Sequence, residues 1–230
     1  MLEIYADHFK GYDSRILSIK KIQWLPWFGV NYDSGTRKTY ILGESHYLWN
    51  KNKESINQLS DIQFTRYVIA NQGLYQKSKW EGNNGKKWKV FRNFERAYFL
   101  DKHPSYKQIA SLWNQTAFSN LVLKYMPRLG DRPRYEDYVQ GWRVHLEIFK
   151  ISHPDTCIVI GNEQPKVDAL SEVLATSSAT KVKHGPKIGN SKPKTTKIHL
   201  DGRVIKVIFI KHTSSFFSWS EWGEYLNTTQ

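Results

Sequence analysis

Short apolar runs that end abruptly in polar clusters constrain this chain most. "TYILGE", "TCIVIGN" and "VIKVIFIKHTSS" each show the pattern, and segments of helical periodicity separate them. Runs of this length, apolar on successive residues, suit strands buried on both faces. Strands alternating with helices predict an α/β fold with a mostly parallel sheet covered on both sides. The spacing of Tyr138, Trp142, Leu146 and Phe149 predicts a helix lying on that sheet. Ser105, after Pro104, is expected to cap a helix through "SYKQIASLW". A further strand is expected within "QTAFSNLVLKYM", and "TSSATKVKHGPKIGNSKPKTTK" reads as a long loop.

With 230 residues, 40% of them hydrophobic, the chain can bury one substantial core. A single domain is expected over 1–230, with a helix-and-loop extension at 1–37 and a basic loop insertion at 176–203. The net charge of +13 points to a polyanionic partner, nucleic acid or an anionic surface. The N-terminal stretch lacks the basic and apolar regions of a signal peptide, and no run is long enough to span a bilayer. A cytoplasmic protein, with no membrane partner, is the expectation. Cys157, the one cysteine, lies inside an apolar run and reads as a small core residue. One cysteine excludes a disulfide framework and a cysteine-held cluster, and the scattered histidines suggest no metal site. No phosphate-cradling glycine motif is present, so no cofactor is expected.

In parallel sheets, ligands lie beyond the carboxyl ends of the strands. That rule selects "GESHY", "FSN", "IGNEQ" and "KHTSSFF". Polar residues follow strands in any fold, because chains turn there. Imidazoles and hydroxyls after two strands, with an amide after a third, go further than turning requires. Gly43, Ser45 and Tyr47 partly match a nucleophile elbow, but Tyr47 occupies the place of its second glycine. A hydrolase using Ser45 and His212 is therefore disfavoured.

These segments resemble motifs of the uracil-DNA glycosylase superfamily. "GESHY" is similar to the first motif, G-Q-D-P-Y or G-E-A-P-G, and "HTSSFFS" to the second, H-P-S-P-L-S. "FSNLVLKYMPRLGDRPRYEDY" resembles the family's strand with a base-reading asparagine and the helix after it, and "PDTCIVIG" the strand before the second motif. The likeness covers about residues 24–222. It implies a three-layer α/β/α sandwich around a central, mostly parallel four-stranded sheet. The implied activity is monofunctional cleavage of the bond between deoxyribose and a base taken out of the stack, leaving an abasic site. The implied acting residues are Glu44 as carboxylate and His212 as donor to the departing base. Asn120 would read the base edge, with Tyr47, Ser45 and Trp49 completing the base pocket. Ser214 and Ser215 would meet flanking phosphates, and Phe216 would be the wedge that fills the vacated stack. Lys183, Lys187, Lys192 and Lys194, in a stretch with nine basic residues and one acidic residue from Lys181 to Lys211, would track the DNA backbone. The loop "KSKWEGNNGKKWK" is a second candidate DNA contact.

Several positions depart from the family. Ser45 and His46 replace the first motif's aspartate and proline, Thr213 replaces the second motif's proline, and the lone cysteine rules out an iron–sulfur cluster. The implied substrate is accordingly a modified or deaminated pyrimidine, a bulky base such as glucosylated hydroxymethylcytosine of phage DNA before plain uracil. The protein would act as a monomer on single- or double-stranded DNA. The alternatives are a catalytically silent binder of DNA or modified bases on the same fold, and a uracil repair enzyme.

Overall fold

The computed structural model describes residues 6–48, 53–74, 88–128, 130–175, 181–214 and 216–229. Among these residues seven strands form one sheet: β1 (Trp27–Phe28), β2 (Thr39–Gly43), β3 (Thr116–Asn120), β4 (Thr156–Ile160), β5 (Lys183–His184), β6 (Lys194–Leu200) and β7 (Arg203–Ile210). Among the described residues eight α-helices accompany it: α1 (Ala6–Ile16), α2 (Lys53–Ser60), α3 (Phe64–Ile69), α4 (Lys89–Phe99), α5 (Tyr106–Gln115), α6 (Tyr135–Ser152), α7 (Gln164–Leu174) and α8 (Trp219–Thr229). A π-helical turn, Ala70–Leu74, continues α3. No described helix is long and apolar enough to cross a membrane.

The order across the sheet is β1-β3-β2-β4-β7-β6-β5. The four middle strands run parallel, whereas β1 pairs antiparallel at one edge and β6 and β5 antiparallel at the other. The sheet is thus mixed and seven-stranded, not four-stranded. Two of the three added strands, β1 and β6, have a physical reason for their weak signature. β1 is two residues long, too short to show a period. β6, "KTTKIHL", buries Lys194, Thr196 and Ile198 on alternate positions, and two of those three are polar. The segment expected as a basic loop therefore supplies two sheet strands. The third strand is shorter than "QTAFSNLVLKYM", ending at Asn120. Residues beyond it still bind the chain after β2, through Val122 N–H to the Glu44 carbonyl and Met126 N–H to the His46 carbonyl.

Alternation along β3 shows how the sheet is covered. Phe118 meets Phe91 of α4 on one face. Ser119, pointing the other way, bonds His145 of α6 at 2.7 Å and accepts from the Tyr40 hydroxyl at 3.0 Å. Helices α1 and α7 pack with α6, and α8 packs with α4. Tyr138, Trp142 and Phe149 are buried as their spacing requires, and Cys157 is buried in β4. Ser105 caps α5 in a full capping box with Gln108.

The parallel strands end abreast. Gly43 pairs with Asn120, and Ile160 with Ile210. Glu44, Gly161 and Lys211 consequently leave the sheet side by side. Gly141 lets α6 approach closely, because a Cβ there would lie 2.1 Å from the Leu121 carbonyl oxygen. Gly141→Ala should destabilise the protein by about 1–3 kcal/mol, the usual penalty for overpacking, as read from urea unfolding midpoints.

Candidate functional site

Glu44 is the first side chain beyond β2, only 6% exposed. A buried carboxylate without partners would take up a proton or disrupt the fold. Here both oxygens are engaged. Oε1 lies 2.9 Å from Lys166 Nζ and accepts from the Tyr138 hydroxyl at 3.2 Å. Oε2 accepts from the Tyr47 hydroxyl at 2.7 Å and from Arg132 at 3.3 Å. Burial pulls the carboxyl upward; the Lys166 charge, its hydrogen bond and that of Tyr47 pull harder, and the pKa falls to about 2. Glu44 is an anion at neutral pH. The Tyr47 hydroxyl moves the other way, raised by burial and by the adjacent Glu44 charge.

Lys166 makes this possible. It sits in the first turn of α7, fully buried, and bridges Glu44 to Glu163 Oε2 at 2.8 Å. Gly161 has φ +119°, and a Cβ there would lie 2.1 Å from Lys166 Nζ. Glycine is needed both for the backbone conformation and for the space the ammonium fills. The turn after Gly161 is held from outside by Lys194, whose Nζ donates to the Asn162 carbonyl at 2.8 Å and to Gln164 Oε1 at 2.9 Å. Asn162 in turn donates to the Lys192 carbonyl and the Ser191 hydroxyl.

His212 approaches from the end of β7. Its Nδ1 accepts the Ser214 backbone N–H at 3.3 Å and lies 2.8 Å from the Ser214 hydroxyl. An amide N–H can only donate, so the neutral ring carries its proton on Nε2. Burial, then the Lys166 charge, lowers the His212 pKa against the opposing pull of Glu44 and Glu163. The loop carrying His212 is pinned to α4: the Thr213 hydroxyl donates to the Val90 carbonyl and Asn93 donates to the Thr213 carbonyl. Thr213 is wholly buried.

Glu44, Arg132, His212 and Ser214 form the polar end of a cavity of about 390 Å³. Phe64, Val68, Trp88, Phe91 and Phe118 supply much of its apolar lining. Ser45 and Tyr47 also line it, but the Ser45 hydroxyl donates to the Lys124 carbonyl. His46 is buried between the Trp24 and Phe64 rings, its Nε2 2.9 Å from the Thr65 hydroxyl. Burial lowers its pKa to about 3, so it stays neutral.

Asn120 does not line this cavity among the described residues. It is buried at the end of β3, with Oδ1 only 2.3 Å from where a Gly43 Cβ would stand. Gly43 thus leaves room for the amide to lean across β2. Phe216 is 95% exposed with a positive φ of 50°, beside a concavity lined by Lys89, Arg92 and Asn93. Lys183, Lys187 and Lys192 are exposed, but Lys194 is 9% exposed and holds the Asn162 turn. Lys194 is expected on the DNA backbone, whereas its ammonium here serves the Asn162 carbonyl and Gln164 Oε1. Trp49, Ser215 and all of the lysine-rich flap except Trp88 and Lys89 lie outside the described residues. Among the described residues, no group of three or more His, Cys, Asp or Glu could hold a metal ion.

Lys166, Arg132 and Tyr138 belong to the site without having been expected there. A signal existed for Lys166. It shares the buried face of α7 with Leu170 and Leu174, at helical spacing, and a lysine in an apolar stripe marks a buried charge. No family model matches this chain, and a search of curated proteins finds no match.

Two outcomes follow from the ion cluster. Lys166→Met should cost about 3–5 kcal/mol of stability, the usual result of leaving a buried charge unpaired, and Glu44→Gln in the same chain should recover part of it in chemical denaturation. The Glu44 pKa lies below its ordinary 4.5 in the folded state, so its contribution is complete above that value and vanishes as pH falls towards about 2. Glu44→Gln should therefore flatten the decline of stability in that acid window, measured as unfolding midpoint against pH.

Proposed function

We propose that this protein is a monofunctional DNA glycosylase of the uracil-DNA glycosylase type, acting on a flipped modified or deaminated pyrimidine. One observation carries the reading. An ionised carboxylate, Glu44, and a neutral imidazole, His212, converge on one aromatic-walled cavity at the carboxyl ends of parallel strands. The four parallel central strands, with helices on both faces, are consistent with the layered fold of that superfamily.

The chemistry assigns each group a task. When the bond from sugar C1′ to the base nitrogen breaks, its electron pair leaves with the base and positive charge develops on the sugar. Glu44, fixed as an anion, stabilises that cation without moving. His212 donates its Nε2–H to the base as negative charge builds there. Water then adds at C1′ and gives up a proton, which neutralises the departed base by way of solvent. Trp88, Phe91 and Phe118 give the extruded base apolar surfaces to replace the stack it leaves. Exposed Phe216 supplies an apolar wedge for the gap, beside the basic Lys89 and Arg92. Lys183, Lys187 and Lys192 contribute backbone attraction.

A volume of about 390 Å³ is in the range that encloses drug-sized ligands, and exceeds what one pyrimidine ring needs. This favours a bulky substituent such as the sugar of glucosylated hydroxymethylcytosine, and a cytoplasmic monomer engaged in defence against phage. Repair of uracil is the narrower alternative. A catalytically silent binder is favoured by a different observation: Glu44 already accepts four hydrogen bonds, leaving it a weak base for activating water.

Incubation with oligonucleotides bearing uracil, hydroxymethylcytosine or glucosylated hydroxymethylcytosine, then alkali, should cut the strand at the modified position. Glu44→Gln and His212→Ala should each slow the reaction by about a hundredfold or more, as for loss of one group stabilising transition-state charge. Salt-sensitive binding with no strand scission on any substrate would leave the silent binder. Phe216→Ala should reduce cleavage of duplex about tenfold while sparing single strands, since only duplex requires a vacated stack to be filled.

A further inference from the structure

A second concavity lies at the β5 edge of the sheet, and its lining is cationic. β6 and β7 pair so that Lys197 stands directly opposite Lys206. Like charges facing each other across an antiparallel pair destabilise it. Lys183 is brought alongside by its pairing with Thr195, two residues before Lys197 on β6. Lys181, Lys183, Lys197 and Lys206, together with Thr195 and Tyr225 of α8, line a cavity of about 480 Å³. It shares no lining residue with the strand-end cavity. Lys206 lies four residues before the end of β7, whereas His212 lies beyond that end, and each strand residue advances about 3.3 Å.

The enclosure is specific. Tyr225 closes over Gly185, where a Cβ would come within 3.0 Å of the tyrosine ring. Lys206 donates to the Thr229 carbonyl in the last turn of α8, which fixes where that ammonium sits. Burial, with the charges of Arg37 and Lys197, lowers the Lys206 pKa. No carboxylate stands among the described lining residues. Ammonium groups and hydroxyls offer hydrogen-bond donors from several directions, which a compact multivalent oxyanion accepts best. The same charge density would repel any cationic or zwitterionic occupant whose ammonium entered first.

We propose that this cavity is a phosphate-binding site, distinct from the strand-end cavity. The phosphate is either that of a nucleic-acid backbone or a free anion, and the same lysines recognise both. The site meets the glycosylase reading only at Lys183, given backbone attraction there; no lining residue takes part in base cleavage, and pyrophosphate binding is measured apart from that reading.

Calorimetric titration with inorganic pyrophosphate, and anisotropy of a labelled single-stranded oligonucleotide, test it without any measure of turnover. The exposed pair Lys181→Glu with Lys183→Glu is compared with the exposed pair Lys102→Glu with Lys107→Glu, which changes net charge equally at residues that do not line the cavity. The cavity pair should weaken pyrophosphate binding about tenfold or more, as losing charge-assisted contacts does, while the control pair changes it little. A parallel, cavity-specific loss of oligonucleotide affinity assigns the phosphate to a nucleic-acid backbone. An equal loss of oligonucleotide affinity in both pairs, with the pyrophosphate loss confined to the cavity pair, assigns it to a free anion. No pyrophosphate binding by the unaltered protein, or equal effects of the two pairs on pyrophosphate, overturns the proposal.

Discussion

The enclosed ammonium of Lys166 organises the strand-end site. It draws Glu44 from the end of β2 and Glu163 from the start of α7 onto one centre, and it occupies the space that Gly161 leaves open. α7 is tied to α6 at the same point, where Trp142 Nε1 donates to the Lys166 carbonyl at 2.8 Å. A buried ion pair of this kind adds little net stability, since desolvation offsets much of the attraction. What it supplies is position. In the proposed reaction, a carboxylate held ionised at the cavity wall would need no reorganisation when positive charge develops on the sugar.

The partners of Glu44 and His212 divide the chemistry between them. Four donors on Glu44 keep it an anion and a poor base, which suits the electrostatic task proposed for it better than removal of a proton. His212 is held neutral by burial and by the cation behind Glu44, and the Ser214 amide fixes which nitrogen keeps the proton. An anion and a neutral donor facing one cavity suit heterolysis of a polar bond, where charge of both signs develops. Arg132 differs from the other partners of Glu44. Its side chain is 73% exposed at the rim, and such a contact contributes little to stability.

The parallel strands were legible because an apolar run closed by a glycine or a polar cluster carries its own signal, and the rule of strand carboxyl ends led from them to Glu44 and His212. The edge strands were not. β6 alternates lysine and threonine with one isoleucine, and its inward lysine, Lys194, reads as a loop charge until its bonds to the Asn162 turn are seen. Ser45 and Asn120 show the limit for single residues. Sequence places both at strand ends, but the contact that decides each role is made with a residue distant in the chain or on a neighbouring strand, Lys124 for Ser45 and Gly43 for Asn120. Lys166 does stand in an apolar stripe with Leu170 and Leu174, but the partner that its buried charge serves, Glu44, comes beside it only once β2 and β4 lie side by side.

The strand-end cavity is aromatic on its walls and charged at one end, and the activity proposed for it is release of a base from DNA. Mass spectrometry of the small-molecule fraction, after incubation with DNA rich in glucosylated hydroxymethylcytosine or in uracil, tests it most directly. Free base should appear in amounts equal to the abasic sites formed, from the unaltered protein and not from His212→Ala. Intact DNA with no free base, or base still joined to its deoxyribose, would contradict it.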